Sequence, residues 1–372
     1  MGGNFALLLY RDSTESTMGI IRPFSFIGLL IAVVFPTALL AQTDALMNVY
    51  EHRPDLQAAF DRKTGLAIPG TAAGFLLDLE DWAVQYGWQE DETLAAYGPE
   101  QDDGIPVRVD ATEIESEIQA QSYVVMDRST GKILTVKNEN RVWPIASLTK
   151  LVTADVVLDE GVSMSTVADI QSQDDVGGAK LSVYDGDQFT IQDLFYAALV
   201  GSANNAANAL SRATGLSKKD FVSEMNIRAA ALNLTHTRFV DPTGIELGNV
   251  STAREMARLA SDILARQEVA RFTSTYIKYI TDITQGTTKK MTTTNWMIYK
   301  PEYDDVYVTG GKTGYLIESG WNLVVALRPD GADTDRELLI VLFGADSRSD
   351  SFVNAERLAD WAWESYAWQK QN

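Results

Sequence analysis

Three short runs of the chain carry residue types that could act together on an acyl carbon. Residues 143–161 read WPIASLTKLVTADVVLDEG and place Ser147 three positions before Lys150. Pro144 sits where helices tend to start and Gly161 where they stop, so the two side chains would share one helical face. A serine hydroxyl becomes a useful nucleophile when a base takes its proton. A lysine can be that base only if burial or a neighbouring cation lowers its pKa. The free N–H groups of a helix start also suit a developing oxyanion. Alone, a Ser-x-x-Lys is a common pair on surface helices.

The second run is GSANNAANAL, residues 201–210. Thr190 with Asp193 reads as a capping box opening the helix TIQDLFYAALV. Gly201 interrupts it, and a second helix runs from the ANNAANAL stretch to about Gly215. Ser202 and Asn204 thus fall on a tight connection that could hold a hydroxyl and a carboxamide in place, although an ordinary Asn/Ser-rich turn would look the same. The third run, TGGKTGYLIESGW at 309–321, has two glycines before Lys312 and Gly314 after Thr313. Another backbone could approach such a strand closely, and a peptide could lie beside it as an added strand. Lys312 and Thr313 would then offer a cation and a hydroxyl to a terminal carboxylate. The plain alternative is a glycine-rich hairpin with a solvated lysine.

Taken in order, Ser147-Leu-Thr-Lys150, Ser202-Ala-Asn204 and Lys312-Thr-Gly314 resemble the Ser-x-x-Lys, Ser-x-Asn and Lys-Thr-Gly motifs of the serine D-alanyl-D-alanine carboxypeptidase/endopeptidase family, the low-molecular-mass penicillin-binding proteins. Ser202 lies 55 and Lys312 165 residues beyond Ser147, which suits that family. The stretch MNIRAAALNLTHTRFVDPTGIELGNVSTAREMARLA (225–260) resembles the family's segment around its Asp/Asn-Pro-x-Gly turn. The resemblance spans roughly 120–360.

It implies an α/β (α+β) fold of the β-lactamase/DD-peptidase kind: a mostly antiparallel sheet flanked by helices, with an all-helical lobe. It implies that Ser147 attacks the carbonyl between two D-Ala residues of a peptidoglycan stem peptide and that Lys150 takes the serine proton. Ser202 would relay a proton to the leaving amine. Asn204 would hold the peptide and Lys150, while Lys312 and Thr313 would bind the substrate carboxylate. The backbone along Gly314 and Tyr315 would line the substrate, the N–H groups of Ser147 and Tyr315 receiving the oxyanion. The partners implied are stem peptides, with β-lactams as covalent inhibitors. No metal or organic cofactor is implied.

Composition narrows the rivals. The chain has no cysteine and two histidines, His52 and His236, so thiolate chemistry is excluded and a Ser-His-Asp triad has few candidates. His236 reads as structural. A net charge of −20 repels phosphate backbones, which argues against a nucleic-acid partner. A class A-like β-lactamase would need a carboxylate for the deacylating water, and 205–245 offers none at suitable spacing; Glu224-Met-Asn226 looks helical. A catalytically silent peptidoglycan-binding protein would have no need of a lysine paired with a serine.

These residues must be positioned by elements that the patterns also mark. SYVVMD (122–127) and KILTVKN (132–138) read as a hairpin; 145–300 reads as mainly helical. DVYVTGGKTG (305–314), WNLVVALRP (321–329) and ELLIVLFGA (337–345) read as strands, and 351–368 as a closing amphipathic helix. Strands at both ends around a helical middle predict one antiparallel sheet with a helical insertion, the catalytic domain at 113–372. Ahead of it, residues 24–41 (FSFIGLLIAVVFPTALLA) follow Arg22 and end at Ala41, a secretory signal or an uncleaved anchor within 1–41. Translation from Met18 would give it a more ordinary charged start. The domain is therefore expected outside the cytoplasm, in the periplasm or cell-wall space. Residues 42–97 read as a small helical module and 98–112 as a linker. With no C-terminal β-domain or anchor after the closing helix, the endopeptidase-like or soluble branch is the expectation.

Overall fold

The computed structural model describes residues 105–368 except 112–113, 115–117 and 330–333. The segments read as export signal, helical module and the start of the linker lie outside the described residues. In chain order the strands are β1 (Val107–Arg108), β2 (Ser122–Asp127), β3 (Ile133–Lys137), β4 (Trp143–Pro144), β5 (Val167–Ile170), β6 (Asp187–Thr190), β7 (Val250–Ser251), β8 (Ile277–Asp282), β9 (Thr287–Thr292), β10 (Val306–Leu316), β11 (Gly320–Pro329), β12 (Leu338–Ala345) and β13 (Tyr366–Ala367). The helices are α1 (Lys150–Asp159), α2 (Ile191–Leu199), α3 (Asn204–Ala213), α4 (Lys218–Ala231), α5 (Ala253–Leu264), α6 (Gln267–Thr273) and α7 (Arg348–Ser365).

The five-stranded sheet has the order β10-β11-β12-β2-β3, and every neighbouring pair is antiparallel. Its near-continuous apolar strands follow from burial on both faces. Alternate residues of a strand point to opposite sides. Val124, Val324, Val341 and Phe343 enter the core shared with the helical lobe and α5. Tyr123, Val325, Ile340 and Leu342 enter a second core with Phe352, Leu358 and Ala362 of α7. Each such side chain contributes roughly 1.5–3 kcal/mol by leaving water.

Helix α1 is buried from Lys150 to Val157 without interruption, its Lys150, Thr153 and Asp155 included. It is the central helix of the lobe, packed by α3, α4 and α5. This is what takes Lys150 out of solvent.

The strands at 122–127, 133–137, 306–316, 320–329 and 338–345 stand where the patterns put them, as do α2 and α3. The hydroxyl of Thr190 accepts from Asp193 N at 3.1 Å, the predicted cap. Three expectations need correction. Residues 145–300, read as mainly helical, also hold two hairpins, β5–β6 and β8–β9, the latter rich in Thr and Lys on its open face. Pro144 does not open a helix. It pairs in β4 with Val250 of β7, and a 3-10 turn over Ala146–Thr149 precedes α1. The closing helix spans 348–365, and Tyr366–Ala367 turn back as β13 onto β1, which lies within the stretch read as a linker. Among the described residues no helix is long and apolar enough to cross a membrane.

Candidate active site

The site forms where the 3-10 turn carrying Ser147, the α2–α3 connection and strand β10 meet. The turn is fixed from several directions. Ile145 N donates to Asn249 O at 3.0 Å, and Asn322 Nδ2 of β11 donates to Pro144 O at 2.9 Å. Ala146 adopts φ 51°, a left-handed conformation that costs a non-glycine residue of order 1–3 kcal/mol. Two glycines close on it. A Cβ on Gly314 would lie 2.9 Å from Ile145 O and 3.2 Å from Ser147 N, and a Cβ on Gly244 would lie 1.9 Å from Ala146 O.

Lys150 is 1% exposed, and its ammonium end meets three acceptors. Nζ lies 2.8 Å from Ser147 Oγ, 2.6 Å from Asn204 Oδ1 and 2.7 Å from Thr243 O. Thr243 O and Asn204 Oδ1 can only accept. They fix two N–H bonds, and a neutral amine therefore turns its lone pair toward the Ser147 hydroxyl. Asn204 is held in that orientation because its Nδ2 donates to Gly177 O at 2.7 Å and its N to Ala179 O at 2.7 Å.

Burial pushes Lys150 well below the usual lysine range; the Lys312 cation adds to this, and the Asp241 carboxylate works against it. Asp241 is itself buried, which disfavours its charge, but hydrogen bonds outweigh that and hold it below the ordinary carboxylate range. It accepts from Thr243 N at 2.6 Å, Thr243 Oγ1 at 2.5 Å, Gly244 N at 2.9 Å and Glu246 N at 3.0 Å. The Asp241-Pro-Thr-Gly244 turn is thus a rigid bracket that presents a carbonyl to Lys150 and a bare Cα to Ala146. Thr153 Oγ1 of α1 donates to Pro242 O at 2.6 Å and ties bracket to helix.

Lys312, 2% exposed, donates from Nζ to Ser202 Oγ and to Thr313 O, both at 2.8 Å. Burial, then the Arg348 guanidinium, lower its pKa to about 7. Ser202 itself has φ 59°, so its hydroxyl too is presented from a left-handed residue. Thr313 Oγ1 shares a hydrogen bond with Thr294 Oγ1 at 2.6 Å. Arg348 donates to Thr294 O at 2.6 Å and lies over the Trp296 and Trp321 rings at 4.8 and 5.8 Å. Tyr315 is half-exposed and packs on Trp321, ring centroids 4.3 Å apart.

The structure therefore brings together Ser147, Lys150, Ser202, Asn204, Lys312, Thr313, Gly314 and Tyr315. Sequence reasoning missed Thr294, Thr243, Gly244 and Arg348. The Asp-Pro-Thr-Gly run was a usable signal for the turn. Nothing local marks Thr294 or Arg348, which reach the site only because β9 and α7 end there. His236 stands apart: its Nδ1 lies 2.9 Å from Glu255 Oε1, in a cluster with Thr237 and Ser251. The arrangement can deliver a serine oxygen to an acyl carbon, with a desolvated amine for its proton and a cationic, hydroxyl-lined pocket for an anion.

Residues 109–347 match the family described as D-alanyl-D-alanine carboxypeptidase. A D-alanyl-D-alanine endopeptidase of Pseudomonas aeruginosa is 33% identical over 252 residues, covering 67% of this chain and 78% of the relative. The D-alanyl-D-alanine carboxypeptidase DacF of Bacillus subtilis is 30% identical over 256 residues, covering 67% of this chain and 63% of that protein; the match thus spans under two thirds of DacF's length. Among solved structures, penicillin-binding protein D2 from Listeria monocytogenes in its cefotaxime-bound form is 27% identical with a TM-score of 0.57, covering 66% of this chain and 98% of that one. The Streptomyces K15 DD-transpeptidase, 23% identical with a TM-score of 0.60 and the same coverage, shares the fold.

Proposed function

On the premise that the chain belongs to the D-alanyl-D-alanine carboxypeptidase family, we propose that it is a serine DD-peptidase that hydrolyses D-Ala bonds of peptidoglycan stem peptides through an acyl-enzyme. The observation that carries the reading is the buried Lys150 amine 2.8 Å from Ser147 Oγ, with its other two contacts taken by fixed acceptors.

Ser147 Oγ attacks the penultimate D-Ala carbonyl as Lys150 Nζ takes the hydroxyl proton. The oxyanion collects at the backbone N–H groups of Ser147 and Tyr315, preorganised donors. Lys312, Thr313 and Arg348 hold the carboxylate of the leaving residue. Collapse breaks the C–N bond, and the departing amine gains the proton from Lys150 through Ser202. Asn204 fixes both Lys150 and the acyl-side peptide. Water then attacks the ester, its proton passing to Lys150, and Ser147 is restored. A β-lactam acylates the same serine and leaves no free amine to depart.

Support for an extracytoplasmic location comes from the family's substrate class and from the apolar run at 24–41, read as signal or anchor. We read 113–372 as the catalytic domain. The test is labelling with a fluorescent penicillin, Ser147→Ala as control, read by intact mass. A stable adduct on the wild type that is absent from the variant is expected. No adduct and no antibiotic consumed would sink the reading in favour of a silent binder; rapid consumption without an adduct would favour a β-lactamase.

A further inference from the structure

Beyond Thr313, on the side away from Ser147 along the contact chain, the surface carries an aromatic pair that neither core uses. Tyr276 and Tyr299 stack with ring centroids 4.8 Å apart and planes 10° from parallel. Tyr276 is 44% exposed and Tyr299 half-buried.

The pair is tied to the carboxylate pocket by consecutive contacts. Thr293 N donates to Tyr276 O at 2.9 Å. The next residue, Thr294, shares its hydroxyl bond with Thr313 and accepts from Arg348. Tyr299 N donates to Trp296 O at 3.1 Å, and the Trp296 ring lies against Arg348. Each tyrosine is thus two contacts from a group that would hold the leaving residue's carboxylate, Tyr276 through Thr293–Thr294 to Thr313 and Tyr299 through Trp296 to Arg348.

We infer that the Tyr276–Tyr299 stack is a docking platform for the leaving half of a cross-linked stem-peptide dimer, and that it favours cross-links over terminal D-Ala as substrate. This rests on the reading of Lys312 and Thr313 as the carboxylate site. When free D-alanine leaves, the group ends in a methyl. When the cross-link cut is one to a side chain that ends in both an amine and a carboxylate, the leaving carboxylate lies at the end of that side chain, and an aliphatic chain with further peptide continues past it. A flat ring face two contacts away gives that chain apolar surface to lie on, whereas D-alanine does not reach it. The pair adds nothing to acyl transfer itself, so its effect is confined to substrates with a long leaving group.

The experiment compares wild type, Tyr276→Ala, Tyr299→Ala and Tyr276→Phe on a purified cross-linked muropeptide dimer, a pentapeptide muropeptide and a fluorescent penicillin. The wild type is expected to open the dimer. Each alanine variant should lose about tenfold in kcat/KM on the dimer, an aromatic contact's worth, with pentapeptide turnover and penicillin acylation within about twofold; Tyr276→Phe keeps the ring and the activity. Equal losses on both peptides, no loss on the dimer, or a wild type that binds penicillin but leaves the dimer intact would overturn the inference and spare the site reading. A wild type inert to penicillin would overturn both. Penicillin acylation also reports folding, and if Tyr299→Ala fails to fold, the more exposed Tyr276→Ala decides the matter.

Discussion

Gly244 and Ala146 are packed backbone to backbone: a methyl group on Gly244 would sit 1.9 Å from the carbonyl oxygen of Ala146, the residue before the nucleophile. Gly244 has φ 83° and Ala146 φ 51°, so the contact joins two left-handed residues from segments about a hundred positions apart. The place of Ser147 is set by a turn that does no chemistry.

Gly244→Ala should therefore displace the Ser147 turn. The backbone strain is of order 1–3 kcal/mol before the clash is counted, and a misplacement near 1 Å costs about a hundredfold in rate. Penicillin acylation rate and thermal midpoint check it together. A variant that acylates at the wild-type rate would show that the turn yields freely.

The proton economy makes a second prediction. Lys150 must be neutral to act as base, and after burial the Lys312 cation is what lowers its pKa. In Lys312→Gln that cation is gone, Lys150 holds its proton to higher pH, and the acid limb of the acylation profile should move upward. The overall rate should also fall, because the carboxylate loses a partner. An unmoved acid limb in an otherwise weakened variant would separate the two lysines electrostatically.

Stability should depend on pH through the same residue. Lys312 titrates at about 7 in the fold against 10.5 when unperturbed. Between those values the unfolded chain binds the extra proton, so stability rises with pH from about 7 to 10.5 and is flat with respect to this group below 7. Replacing Lys312 with Met removes that slope and stabilises the protein at neutral pH. Urea unfolding across the window measures it; the same slope in both proteins would contradict the assignment.

Thr294→Val takes away the hydroxyl partner of Thr313, 2.6 Å away, without changing side-chain volume much. The loss of one hydrogen bond is worth about 1 kcal/mol. Since the bond orients a binding hydroxyl, KM for a D-Ala-D-Ala peptide should rise about fivefold with kcat little changed. A fall in kcat at constant KM would place Thr294 in the chemical step instead.

The helix that carries Lys150 is anchored near its middle by a charge cluster. Asp155, fully buried, lies 2.6 Å from Arg228 Nε and 2.8 Å from Arg266 Nε, joining α1, α4 and the start of α6. Asp155→Ala removes the buried partner of two guanidinium groups, which keep Asp262 and Asp159, and should cost about 1–3 kcal/mol. The expected readout is a fall in thermal midpoint with near-normal acylation of the protein that remains folded at low temperature. An unchanged midpoint would show the cluster to be replaceable by water.

The sequence by itself determined the sheet strands and the three catalytic runs. Apolar runs such as LLIVLF and WNLVVAL need both faces covered, and a serine three residues from a lysine on one turn is a local geometry. Residue types also settled what chemistry was open, since a chain without cysteine and with two histidines has few other nucleophile–base pairs. Only the tertiary structure decided how these parts work. Lys150, the proposed base, is desolvated because α1 is the lobe's central helix, and no local pattern states how deeply a lysine is buried. Lys312 reaches Ser202, 110 positions away in sequence, because β10 is the sheet edge that faces the α2–α3 connection. Thr294 and Arg348 were silent in the sequence for the same reason, and the Asp-Pro-Thr-Gly run marked a turn at Gly244 without saying what it packs against. Their roles come from contacts between distant segments, which depend on packing rather than on spacing. The reading of 145–300 as mainly helical did not mark the β8–β9 hairpin, which is stabilised by its strand pairing and by packing against its neighbours, forces that leave only a weak local signature.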